Sequence, residues 1–266
     1  MLKNQSIMSL NNISKRFGGL IAVNNVSFDV REGEILGLIG PNGSGKTTLI
    51  NLISGQQKLN EGNISFQGEF ISGLPPNRIS KKGISRTFQL VKILPHLTCI
   101  ENCMAGMVFS KRSIWGDAAK YEALRLLDKV GLSDKKDTPV TSLTYIDQKR
   151  LELSRALASN PDLLLLDEWL AGLNSSELDE GIELINSLRS ELSGIILVEH
   201  VMHAVRLLCD RCIVLASGHK ISEGEPEIVL NDPEVIKSLS KEKLSDCFST
   251  ELHQSNLGVI WERLGI

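Results

Sequence analysis

Apolar positions along this chain follow two rhythms. From residue 7 to residue 35 they alternate with polar ones, interrupted at Gly18-Gly19 and Glu32-Gly33, which predicts strands joined by turns. "GEILGLIG" is a short apolar strand ending at Gly40. After it, "KTTLINLISG" sets Leu49, Leu52 and Ile53 at helical spacing and stops at Gly55, a helix-ending residue. "GNISFQGEFISG" alternates again, as a half-exposed strand pair. Residues 91–160 turn mainly to the helical period, most clearly in the amphipathic "AAKYEALRLLDKVGL". Then come "PDLLLLDE", an unbroken apolar run of the kind found in buried parallel strands, a helix across 175–190, the strand "GIILVEH", and a strand with hairpin in "CDRCIVLASGHKISEG". Strand and helix in alternation predict an α/β sheet with helices on both faces. The last segment, 238–266, is a charged linker ending in "LGVIWERLGI", a short helix expected to dock through Trp261.

Composition narrows the class. The 266 residues are 42% hydrophobic, without a Pro/Gly/Ser-rich linker or an internal repeat, which suits one large domain or a domain carrying an inserted subdomain. A net charge of −3 offers no basic field for nucleic acid, and Lys81-Lys82 or Lys135-Lys136 read as solvated surface. No apolar run approaches the ~18 residues of a membrane helix, and "MLKNQSIMSL" lacks a secretory apolar region, so a cytoplasmic protein is expected. The five cysteines, Cys99, Cys103, Cys209, Cys212 and Cys247, are then expected as reduced thiols. Cys209-x-x-Cys212 invites a zinc reading. No second ligand pair has finger-like spacing, however, and Cys212 begins an apolar strand, which favours core packing.

Chemistry concentrates at three strand ends. "GPNGSGKTT", Gly40 to Thr48, fits G-x-x-x-x-G-K-[ST] between a predicted strand and a predicted helix, the context that makes a phosphate loop credible. Gly40, Asn42, Gly43, Ser44, Gly45 and Thr48 would turn backbone N–H groups onto the phosphates of a nucleoside triphosphate. Lys46 would reach the β- and γ-phosphates, and Thr47 is placed to ligate Mg²⁺. In "LLLLDE" the strand delivers Asp167 to its carboxyl end for Mg²⁺, and Glu168 follows as the carboxylate that deprotonates an attacking water. "GIILVEH" brings His200 to the same sheet edge, for a γ-phosphate contact.

With these motifs in this order, the chain resembles the nucleotide-binding subunit of ABC transporters over residues 7–237, with 238–266 as a C-terminal extension. Within that family it looks most like the branched-chain amino-acid uptake branch, in "RFGGLIAVNNVSF", "RTFQ", "LAGLN" and "VEHVM". The resemblance implies a P-loop NTPase core with a mostly parallel sheet, an N-terminal antiparallel β-subdomain and an inserted helical subdomain at about 91–160. It also implies that Phe17 stacks on adenine, that Gln89 touches Mg²⁺ and the attacking water, and that Ala171 to Asn174 cross between two such subunits. The helical region beginning "LVKILPHL" is implied to dock on a transmembrane permease subunit. A solute-binding protein, acting through the permeases, would select the solute.

One stretch departs from the family. Residues 143–147 should read Leu-Ser-Gly-Gly-Gln or a near variant, contacting the γ-phosphate held by the opposite subunit, but here they are Leu143, Thr144, Tyr145, Ile146 and Asp147. Thr144 keeps a hydroxyl, and the helix after it keeps its N-terminus toward phosphate. Thr144-x-x-Asp147 also has capping-box spacing, with the carboxylate expected on a backbone N–H. A carboxylate ~7 Å from the phosphate would repel it by about 2 kcal/mol per unit charge at an effective dielectric of about 20. The expectation is therefore a weakened contact and a heterodimer with a second ATP-binding subunit, a homodimer being the alternative. An ATPase for another substrate (urea, amides or lipid-like export), a soluble ATPase acting on DNA or ribosomes, and a subunit that holds ATP with weak turnover are the rival readings.

Overall fold

A computed structural model describes residues 5–108, 110–111 and 113–239; Cys247 and the expected helix around Trp261 lie outside the described residues. Two sheets face each other. Strands β1 (Ser6–Phe17), β2 (Leu20–Arg31), β4 (Glu61–Phe66) and β5 (Glu69–Phe70) form an antiparallel sheet in the order β2-β1-β4-β5, with Leu10 opposite Phe28 on one side and Ile64 on the other. Strands β3 (Glu34–Ile39), β6 (Ile84–Arg86), β7 (Leu163–Asp167), β8 (Gly194–Val198), β9 (Arg211–Ala216) and β10 (His219–Gly224) form the second sheet, in the order β10-β9-β3-β8-β7-β6. Its pairings are parallel except for β10 on β9.

β3, β7 and β8 are buried at every position, which is why they read as continuous apolar runs. Their side chains divide between two cores by the strand period of two. Leu163 and Leu165 face the space between the sheets, together with Leu49, Ile50, Leu52 and Ile53 of α1 (Lys46–Ile53). Leu164 and Leu166 face the opposite side, where α3 (Cys99–Val108), α4 (Gly116–Lys129), α5 (Tyr145–Ala158), α6 (Ser175–Leu188) and α7 (Met202–Leu208) contribute to a second core. The shorter α2 (Pro76–Lys81) precedes β6, and α8 (Pro226–Val229) follows β10. α1 ends where expected, with Ser54 as its C-cap and Gly55 at φ +72°.

Cys209 and Cys212 are buried against the backbone of β3. A Cβ at Gly37 would lie 2.9 Å from both sulfurs, so only glycine lets the strand and the two thiols approach this closely. A hydrogen bond to Cys212, reinforced by burial, holds the Cys209 thiol protonated well above the ordinary range. That is the environment of packing thiols, not of a thiolate pair.

Candidate active site

Because β3, β6, β7 and β8 run parallel, their carboxyl ends share one edge, and each is followed by a segment carrying predicted site residues. The loop after β3 is fixed by close backbone approaches. A Cβ at Gly40 would lie 2.1 Å from the Leu215 carbonyl oxygen, and one at Gly45, where φ is +108°, would lie 2.5 Å from that of Ala22. Gly45 is also the N-cap of α1, and among the described residues it makes no side-chain cap, so the helix start faces the loop with its positive end. Lys46 is buried and donates from Nζ to the carbonyls of Gly40 at 2.6 Å and Pro41 at 2.9 Å.

A cavity of about 600 Å³ opens here, walled by Asn42, Gly43, Ser44, Gly45, Lys46, Thr47 and Thr48 together with Phe17, Gln89 and Glu168. Phe17 is 44% exposed and carries Lys15 Nζ 4.9 Å from its ring centre. Gln89 Nε2 donates to Glu168 Oε2 at 2.8 Å. The Gln89 segment hangs from α5, where Glu152 accepts from the N–H groups of Phe88 at 3.3 Å and Lys92 at 2.8 Å.

Asp167 lies deeper, 2% exposed and not in the cavity wall. Its Oδ2 accepts from Arg86 Nη2 at 3.0 Å, while Oδ1 is buried with no hydrogen-bond partner among the described residues. Burial pushes its carboxyl pKa up, against the nearby charges of Arg86 and Lys46, which favour the anion. Arg86 also donates to Asn51 Oδ1 at 2.7 Å and Ser54 Oγ at 3.0 Å. Arg86 stands beside Gln89 in "RTFQ", and that shared motif is the only mark of its role in the sequence.

Other predicted residues stand apart. His200 follows β8 at the same edge but is exposed and does not line the cavity. Thr144, also outside the cavity wall, is the N-cap of α5 and accepts from Asp147 N at 3.3 Å.

One expectation for Asp147 is corrected, that of a bare charge. Its carboxylate draws on the Thr144 backbone N–H, and it also accepts the Thr144 hydroxyl hydrogen at 2.7 Å and pairs with Lys135 Nζ at 2.7 Å. Asp147 is 4% exposed, so this charge is buried and matched, and the repulsion expected of a bare carboxylate does not apply in full. Burial opposes ionisation, but the bonds from Lys135 and Thr144 outweigh it and hold the carboxyl below its ordinary range.

A glycine loop between a parallel strand and a helix, with carboxylates at the neighbouring strand end, defines a phosphate-loop nucleotide-binding protein. The ABC transporter family model matches residues 23–171, and the chain belongs to that family, as one of its ATP-hydrolysing subunits. It is 38% identical over 248 residues to the high-affinity branched-chain amino acid transport ATP-binding protein LivG of Salmonella typhimurium, covering 88% of this chain and 97% of LivG. It is 33% identical over 230 residues to the lipopolysaccharide export system ATP-binding protein LptB of Haemophilus influenzae, covering 86% and 95%. Among solved structures, the ADP conformation of MJ1267, an ATP-binding cassette of an ABC transporter, superposes with a TM-score of 0.81 at 30% identity, covering 88% of this chain and 98% of that one.

Proposed function

We propose that this chain hydrolyses MgATP to power import of branched-chain amino acids. The observation that carries hydrolysis is the Gln89–Glu168 hydrogen bond of 2.8 Å in the wall of the phosphate-loop cavity, which sets a carboxylate beside the loop that would hold the phosphates. Lys46 and the α1 N-terminus bind the phosphates, Phe17 stacks on the base, and Glu168 takes the proton of the water that Gln89 orients. Asp167, Thr47 and Gln89 would hold Mg²⁺. Their hard oxygen donors and the unpaired buried Asp167 Oδ1 suit that ion, which when bound neutralises phosphate charge. His200, exposed at the next strand end and outside the cavity wall, would have to reach inward to contact the γ-phosphate.

The substrate class rests on the likeness to LivG along nearly its whole length. The chain would sit on the cytoplasmic face of the membrane; no described helix is long and apolar enough to cross it. Permease subunits would dock on a second cavity, of about 410 Å³, walled among others by Ser54, Ile79, Phe88, Leu94, Glu152 and Arg155. A second ATP-binding subunit completes the site, and a heterodimer is favoured because Ile146 replaces a glycine and the Thr144 hydroxyl hydrogen is already given to Asp147. The likeness to LptB supports a second reading, export of a lipid-like molecule.

Uptake in cells lacking the chain separates the two. Labelled leucine uptake should fall, return with the wild-type chain, and fail to return with Glu168→Gln. Full uptake in the deleted cells, with lipid export impaired, would overturn the importer reading in favour of the second.

A further inference from the structure

The segment after Asp167 is held in an unusual backbone by residues from elsewhere in the chain. Glu168 has φ +51°, a left-handed conformation uncommon for a residue with a side chain. Such conformations persist where the surroundings over-determine them. Here the surroundings are specific. Glu168 N donates to the Val198 carbonyl at 2.9 Å. The carbonyls that follow converge on one ammonium: Lys149 Nζ, on α5, donates to Trp169 O at 2.8 Å and Ala171 O at 2.7 Å, and more distantly to Glu168 O at 3.4 Å. An ammonium has three donors, and all three find carbonyls in this one turn of chain. From the other side, Glu199 Oε1 accepts from Leu170 N at 2.8 Å. The Trp169 indole N–H returns to the Lys149 carbonyl at 3.1 Å, and the Tyr145 ring lies over the ammonium, its centre 5.0 Å away.

Lys149 is 2% exposed and does not line the nucleotide cavity, so phosphate binding does not account for it. A buried ammonium is costly unless its donors are satisfied. Here the satisfied donors fix the residues immediately following Asp167.

We propose that Lys149 is a positioning residue for Glu168: by gathering the carbonyls of residues 168, 169 and 171, it holds the left-handed turn that aims the Glu168 carboxylate at Gln89 and the nucleotide. The proposal rests on Glu168 being the general base. Lys149 touches no substrate and acts through Glu168 alone.

The test uses the transporter assembled with its permeases, comparing Lys149→Met, Lys149→Arg, Glu168→Gln and the double variant Lys149→Met/Glu168→Gln. Lys149→Met should lower kcat by about ten- to a hundredfold, the scale of a misplaced catalytic group, with KM for ATP within about twofold of wild type. Lys149→Arg, which can still donate to the carbonyls, should recover most of the rate. In the Glu168→Gln background, adding Lys149→Met should leave the residual rate unchanged. A further drop by the same factor there would show that Lys149 does not act through Glu168 and would overturn the proposal. Should Lys149→Met fail to assemble, Lys149→Gln, whose amide donates to fewer carbonyls, replaces it under the same criteria. Wild-type turnover in Glu168→Gln would sink the general-base reading itself. A dead Glu168→Gln beside a fully active Lys149→Met would sink only the role of Lys149.

Discussion

Lys46 bridges two carbonyls of its own loop, so its amine is held at the cavity wall before any phosphate arrives. Lys46→Ala removes a charge-assisted contact, and calorimetry should show ATP binding at least about tenfold weaker. Asp147 supports a prediction with a definite sign. Its folded pKa lies below the ordinary value of 3.8, so its contribution to stability is complete above that pH and is lost as pH falls through the folded pKa. The ion pair, with Lys135 38% exposed, contributes about 1 kcal/mol. Asp147→Asn should therefore melt below wild type at pH 7, and the gap should close below about pH 4. At this scale the contiguous letters of the phosphate loop were legible, because one segment builds that whole wall. The Lys135–Asp147 pair was not: twelve residues separate the partners, and the Thr-x-x-Asp spacing points only to the bonds between Thr144 and Asp147. Nor do the letters "LLLLDE" reveal that Glu168 bends into the left-handed region, since that turn is imposed by Lys149 and Val198 from other elements.

Among the elements, α5 does more than its amphipathic pattern suggests. Lys149 and Glu152, three residues apart and so on one helical face, hold the Glu168 and Gln89 segments respectively. Buried charges on a helix read as surface in a sequence, which is why this role was invisible. Two elements went unnoticed for a different reason. β6 has three residues and α2 has six, too short for either period to register. The start of α6 shows the opposite case. Asn174 and Glu177 form a full capping box, with Asn174 Oδ1 accepting from Glu177 N and Glu177 Oε2 from Asn174 N, each at 3.0 Å. Asn174→Ala should cost about 1 kcal/mol and lower Tm by about 2–4 °C, as calorimetric melting would show.

For the whole molecule, the alternation of strands and helices predicted an α/β sheet, and the sheet is there. Its strand order could not be read, since periodicity shows that a strand is buried but not which strand it lies beside. The family likeness supplies the expectation that each nucleotide needs the α5 N-terminus of a second subunit. The purified chain should therefore sediment as a monomer without nucleotide and hydrolyse ATP slowly. A stable nucleotide-free dimer in sedimentation would contradict this.

The contact of Gly37 with two sulfurs has a consequence for how such chains diverge. With 2.9 Å to each sulfur, position 37 has no room for even a methyl group while both cysteines stay. A lineage that places alanine there must first have lost bulk at 209 or 212, so the three positions should be inherited as a set, changing in that order or not at all.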